Sequence, residues 1–160
     1  KVSSGNISVD LRDIDLVEMI NQTNGEFEEK FSEKGLSIIS NTPSGGVMIK
    51  ADGRHLWRVL ENLYNNAFKY AAKNSRIYID IISDNTGATF VIKNISENPL
   101  NIRPDELTER FVRGDVSRTT EGSGLGLSIA KSLTILQGGK FDIIIDGDLF
   151  KVQIKFEKVA

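Results

Sequence analysis

Glu121-Gly-Ser-Gly-Leu-Gly-Leu127 runs without a break into Ser128-Ile-Ala-Lys-Ser-Leu133. Glycines alternate at 122, 124 and 126, and an apolar face starts inside the loop with Leu125, Leu127, Ile129, Ala130, Leu133 and Leu136. That spacing is helical, and Gly138-Gly139 ends it. A glycine loop opening a helix offers unpaired backbone N–H groups at the positive end of the helix dipole, where phosphate is the natural ligand. A turn before an ordinary core helix leaves the same trace, so the loop suggests phosphate without naming a fold. Two better-known phosphate loops do not fit. A Walker loop needs Gly-Lys-Ser/Thr, and the nearest lysine, Lys131, lies inside the helix. A dinucleotide fingerprint needs a strand just before it, and Arg113-Gly-Asp-Val-Ser-Arg-Thr-Thr120 is polar and poor in strand formers.

The chain around this loop is of ordinary globular make-up. Its 160 residues suit one domain, and 39% hydrophobic with 26% charged residues suits a single core. A net charge of −2 leaves no basic stripe for a nucleic-acid backbone, so no nucleic acid is expected as partner. The absence of cysteine removes disulfides, thiolate catalysis and thiolate metal sites. No apolar run reaches membrane-spanning length. Lys1 stands where an initiator methionine would, so the chain is expected to be a piece of something longer.

Residues 1–8 read as a linker. Ile14, Leu16, Val17, Ile20 and Phe27 predict a helix from about Asp13 to Phe31, interrupted by Asn24-Gly25. Leu36 to Ser40 reads as a strand, and Val47 to Ala51 as a second strand pairing back on it across Asn41-Thr-Pro-Ser-Gly-Gly46. Asp52 caps a helix ending near Ala72, with Leu56, Val59, Leu60, Leu63, Ala67 and Phe68 on its apolar face. Arg76–Ser83 and Ala88–Lys93 alternate around Asp84-Asn-Thr-Gly87, a hairpin signal. Residues 94–121 hold one short helical stretch, Pro104–Phe111. This long polar segment reads as a lid, with Pro99–Thr120 expected to be mobile in the absence of nucleotide. Lys140–Ile145 and Phe150–Phe156 close the chain as a hairpin around Asp146-Gly-Asp148. Hairpins outnumber crossovers, which predicts one mixed, mostly antiparallel sheet with helices on one face.

The second helix carries Asn62, Asn66 and Lys69 at i, i+4 and i+7, on one stripe. Asparagine is a poor helix former, and Asn65 adds a third within two turns. An amide oxygen is a hard, neutral ligand suited to Mg²⁺, which keeps most of its waters, and a lysine beside it suits phosphate. A solvated helix face would read the same way. The only histidine, His55, lacks a following Glu-x-x-x-Pro and reads as a surface helix residue.

Leu60-Glu-Asn-Leu-Tyr-Asn-Asn-Ala-Phe-Lys-Tyr70 resembles the N box of bacterial two-component sensor histidine kinases. Glu109-Arg-Phe-Val-Arg-Gly-Asp115 resembles their F box, and Glu121 to Lys131 their G2 box. The resemblance covers residues 9–160, in the order and at the separations of that family's catalytic domain. It implies an ATP-binding two-layer α/β sandwich, the Bergerat fold shared with gyrase and heat-shock chaperone ATPases, with a lid at about 95–121. It implies Mg²⁺ on Asn66 with help from Asn62, and phosphate contacts from Lys69 and Tyr70. Arg113 and Arg118 on the lid would neutralise the transferring phosphoryl group. Gly122, Ser123, Gly124, Leu125, Gly126 and Leu127 would form hinge and cradle, and Phe111 would anchor the lid.

One box departs from the pattern. The adenine-reading G1 box, Asp-x-Gly-x-Gly, is here Asn94-Ile-Ser-Glu-Asn98. Asn94 is expected still to read adenine, with ATP preferred over GTP less sharply than an aspartate would give. The resemblance further implies a histidine acceptor on a dimerisation domain N-terminal to Lys1, with residues 1–8 as the connection, and a response regulator downstream. The full-length protein would be a dimeric sensor anchored in the inner or plasma membrane, this piece being its monomeric, cytoplasmic kinase part. Two rival readings remain open: a non-catalytic, kinase-like interaction module with weakened nucleotide binding, and a gyrase-type hydrolase. The latter needs a glutamate one turn before the Mg²⁺ asparagine, where this chain has Asn62.

Overall fold

The computed structural model describes residues 7–98 and 125–159, with only the backbone of Leu125. In chain order the elements are β1 (Arg12–Asp15), α1 (Leu16–Glu33), β2 (Ser37–Asn41), β3 (Met48–Ala51), α2 (Gly53–Tyr70), β4 (Arg76–Asp84), β5 (Gly87–Ile95), α3 (Leu125–Leu136), β6 (Lys140–Asp146) and β7 (Leu149–Phe156). Five strands form one sheet in the order β2-β4-β5-β7-β6. The β2–β4 pair is parallel and the others antiparallel, so the sheet is mixed and mostly antiparallel as expected. Alternation does the sorting: Ile77, Ile79, Ile81, Phe90, Ile92, Val152, Ile154 and Phe156 are buried in one core with residues of all three helices. The helices cover this face of the sheet.

Two of the three expected hairpins form, β4–β5 and β6–β7. Asp84 Oδ1 accepts from the Thr86 and Gly87 N–H groups at 2.8 and 3.1 Å, closing the β4–β5 turn. A β-carbon on Gly87 would stand 2.5 Å from the Phe156 carbonyl oxygen, so β5 and β7 meet there only around a glycine.

Three expectations about the first helix and the early strands are corrected. The first helix starts at Leu16, after a strand: Asp15 accepts from the Val17 and Glu18 N–H groups as N-cap, which leaves Arg12–Asp15 to pair with β3. That helix runs through Asn24-Gly25 because the Asn24 side chain is held from outside, accepting from the Tyr64 hydroxyl at 2.5 Å and donating to Ser40 Oγ at 3.2 Å. Third, β2 and β3 do not pair. β2 lies parallel to β4, while β3 lies antiparallel to β1, its other edge bonded to the chain end through Lys50 N–H to Glu157 O and Val159 N–H to Met48 O. Gly45 and Gly46, at φ 88° and 86°, turn the chain out of the first sheet. The second helix also stops at Tyr70, two residues early, where Ala71 is extended. The Pro104–Phe111 helix and the Pro99–Thr120 segment lie outside the described residues. Among the described residues, no helix is long and apolar enough to cross a membrane.

The N-terminus of α2 is a junction. Asp52 Oδ1 accepts from the Arg54 and His55 N–H groups at 3.0 and 3.2 Å, and Oδ2 accepts from the Asp10 N–H at 2.8 Å. The Asp52 N–H donates to Gln137 Oε1 at 2.9 Å, tying α2 to the end of α3. His55 is not a plain surface residue: its side chain is 16% exposed, and Nε2 lies 2.8 Å from the Ser8 carbonyl oxygen. That oxygen only accepts, so Nε2 carries the proton. Burial pushes the Asp52 carboxyl up, but the N–H donors of Asp10, His55 and Arg54 outweigh it and hold it below its ordinary 3.8. A depressed carboxyl stabilises the fold above the unfolded value, and that contribution is lost as pH falls through the folded one. Asp52→Ala is therefore expected to cost about 1–2 kcal/mol at neutral pH. The gap from wild type should shrink below about pH 4, as urea melts at pH 7 and pH 3 would show.

Candidate nucleotide site

The sequence-predicted residues that lie among the described ones sit on α2, at the end of β5 and at the start of α3. Ala72 N–H donates to Ile95 O at 2.8 Å, Glu97 N–H to Tyr70 O at 2.9 Å, and Ala71 bridges Ser96. The end of the asparagine helix is thereby joined to the strand that carries Asn94. Ser96 N–H in turn donates to Asp148 O at 2.7 Å, anchoring this corner on the β6–β7 turn. From the other side α3 packs on α2: a β-carbon on Gly126 would touch Asn62 Oδ1 at 3.6 Å. Three segments far apart in the chain thus surround one corner.

Along α2, Asn62, Asn66 and Tyr70 are half-buried and Lys69 is exposed. Burial raises the Tyr70 phenol above its ordinary range, so it is neutral at physiological pH. Asn65, the third asparagine, faces elsewhere and accepts from Lys30 Nζ at 2.7 Å. Leu127 is buried in the core, leaving its backbone as what it can offer a ligand. Arg113, Arg118, Gly122, Ser123, Gly124 and Phe111 lie outside the described residues.

Asn94 is 2% exposed. Phe90, Ile92 and Asn94 alternate on the inner face of β5, and Asn94 is in register with Phe150 of β7. Among the described residues, two buried side-chain atoms lack a hydrogen-bond partner: Nδ2 of Asn62 and Nδ2 of Asn94. A buried amide N–H left unpaired costs about 1–3 kcal/mol, so each of these donors marks a place completed by something else.

One supporting residue escaped the sequence reading. Lys34, just past α1, donates from Nζ to the Phe68 and Lys69 carbonyls at 2.5 and 3.1 Å, closing the C-terminal end of α2. Burial, the largest effect, lowers its pKa; Glu97 opposes this, and Lys73 and Lys69 add to it. A single lysine after a helix gives no warning of such a role. Among the described residues no three His, Cys, Asp or Glu side chains cluster as metal ligands.

The profile of the "histidine kinase-, DNA gyrase B-, and HSP90-like ATPase" family matches residues 51–158, most of the chain. The chain belongs to this family. Its relatives include the probable sensor protein PcoS of Escherichia coli, 32% identical over 154 residues, and the sensor histidine kinase RppB of Synechocystis, 30% identical over 147. These alignments take in 94% and 87% of this chain but 32% of either relative, so the chain spans about a third of their length. Among solved structures, the nucleotide-free catalytic domain of the histidine kinase ThkA superposes with a TM-score of 0.78 at 25% identity, covering 93% of this chain and 96% of that one. The fold is that of histidine kinase ATPase domains, as the three boxes implied. The kinase and sensor names of these relatives lend no support to the non-catalytic reading.

Proposed function

We propose that this chain is the catalytic domain of a two-component sensor histidine kinase, binding Mg-ATP at the corner of α2, β5 and α3. The observation that carries the reading is the pair of buried donors, Nδ2 of Asn62 and of Asn94, unpaired among the described residues, at two positions the sequence boxes assign to nucleotide. Asn66, one turn beyond Asn62, would hold Mg²⁺ with help from Asn62. Bound Mg²⁺ would offset phosphate charge. Lys69 and Tyr70 would contact phosphate, Lys69 as a mobile point charge from its exposed position. Arg113, Arg118 and the loop Gly122–Leu127 would close over the triphosphate.

In the reaction the bond from the γ-phosphorus to the β–γ bridging oxygen breaks and a bond to an imidazole nitrogen forms, leaving ADP. The protein's part is to position and neutralise. The acceptor histidine would lie on a dimerisation domain of the same kinase, and a response regulator would then receive the phosphoryl group. This domain would sit on the cytoplasmic side of a membrane-anchored sensor. Hydrolysis of the gyrase type has less support: Glu61 is exposed, while Asn62, which cannot act as a base, faces the site.

Titration with ATP, with and without Mg²⁺, should show binding that Mg²⁺ strengthens. Incubation with γ-labelled ATP should leave the chain unlabelled, since His55 is engaged with Ser8, and should label an added phosphoacceptor domain of the parent kinase. Stable phosphohistidine on this chain, or no ATP binding at all, would sink the reading.

A further inference from the structure

The orphaned donor at Asn94 bears on which base the site accepts. The residue closes the inner face of β5, next to the apolar Phe150, and is 2% exposed. In so dry a place hydrogen bonds count strongly, and mismatched ones count equally against binding. A carboxylate there could only accept. An amide carries an acceptor and a donor side by side. The six-membered-ring edge of adenine shows a donor, the 6-amino group, beside an acceptor, N1. The 6-oxopurines, guanine and hypoxanthine, show an acceptor, O6, beside a donor, N1–H. An amide meets the first pattern in one orientation and the second after a flip about its last bond. Among the described residues Nδ2 has no partner, so no bond from that donor opposes the flip.

We infer that Asn94 reads the purine edge and admits 6-oxopurine nucleoside triphosphates as well as ATP. This rests on the proposed nucleotide site and specifies its substrate class. Lys93 and Lys151 lie at the neighbouring register positions that face away from the core, and cannot substitute for Asn94. Guanine also carries a 2-amino group that tests a different part of the pocket. ITP, which lacks it, is therefore the cleaner probe of the edge.

The experiment measures ATP, ITP and GTP affinities, with Mg²⁺, for wild type, Asn94→Asp and Asn94→Ala, with thermal melts to confirm folding. For wild type, ITP should bind within about tenfold of ATP, the scale of one exchanged hydrogen-bond pattern. Asn94→Asp should weaken both ATP and ITP, because a carboxylate can only accept and either edge sets one acceptor against it. Asn94→Ala should weaken both by similar factors, about 5- to 150-fold. Wild type that binds ATP but rejects ITP by more than about a hundredfold overturns the inference. So does Asn94→Ala binding ATP as well as wild type, since the base is then read elsewhere. Either result leaves the proposed function standing. Loss of all nucleotide binding in folded wild type overturns both.

Discussion

Asn66→Ala is expected to weaken Mg-ATP by about tenfold or more while leaving Mg²⁺-free ADP nearly unchanged. The Asn66 oxygen is proposed to act through the metal, so its loss should register only when metal is present. The variant should fold, because alanine is a better helix former than asparagine and Asn66 is only half-buried on α2. Helix damage is thus removed as a competing cause. Calorimetric titration of both ligands, in Mg²⁺ and in chelator, checks the result. An equal loss for the two ligands would assign Asn66 to direct phosphate contact and move the metal elsewhere.

Tyr64→Ala should have the largest effect on stability, about 3–5 kcal/mol, the cost of removing a large aromatic from a core that cannot collapse around the gap. Tyr64 is 0% exposed. Its ring centroid lies 5.2 Å from Phe27, 6.1 Å from Phe31 and 6.3 Å from Phe90, so it joins α1 and α2 to the sheet. Tyr64→Phe keeps those contacts and loses the bond to Asn24, which should cost about 1 kcal/mol. Urea melts of the two variants separate packing from hydrogen bonding. Similar losses would mean that the bond to Asn24, not the ring, fixes α1 on α2. Burial raises the Tyr64 phenol far above its ordinary 10.0. A group with a raised folded pKa stabilises below the unfolded value, and that contribution fades as pH climbs above it. Wild type should therefore lose stability above about pH 10, and Tyr64→Phe should lose less.

The corner that binds nucleotide in this account is built by α2, and both experiments probe that helix, one on each side. Asn62 lies against Gly126 of α3, while Tyr64 faces the core. Lys34 and Asp52 secure its two ends. A substitution at either end would loosen the asparagine stripe without touching it.

The sequence by itself determined what depends on neighbours along the chain. The apolar periods of α2 and α3 needed only their own residues, and Asp84-Asn-Thr-Gly87 and Asp146-Gly-Asp148 announced hairpins because a tight turn is a local structure. The ordered boxes determined the family, and with it Asn62, Asn66 and Asn94 as candidates. The tertiary structure decided what depends on residues distant in sequence. The parallel alignment of β2 with β4 has no turn to announce it, so Leu36–Ser40 and Val47–Ala51 read as a false hairpin. Asn24-Gly25 carried a breaker signal that Tyr64 and Ser40 override from other elements. His55 looked exposed until Ser8 was found against it. The Nδ2 groups of Asn62 and Asn94, unpaired among the described residues, emerge only once burial and packing are known, because an unmet hydrogen bond belongs to the packed molecule and not to any stretch of its chain.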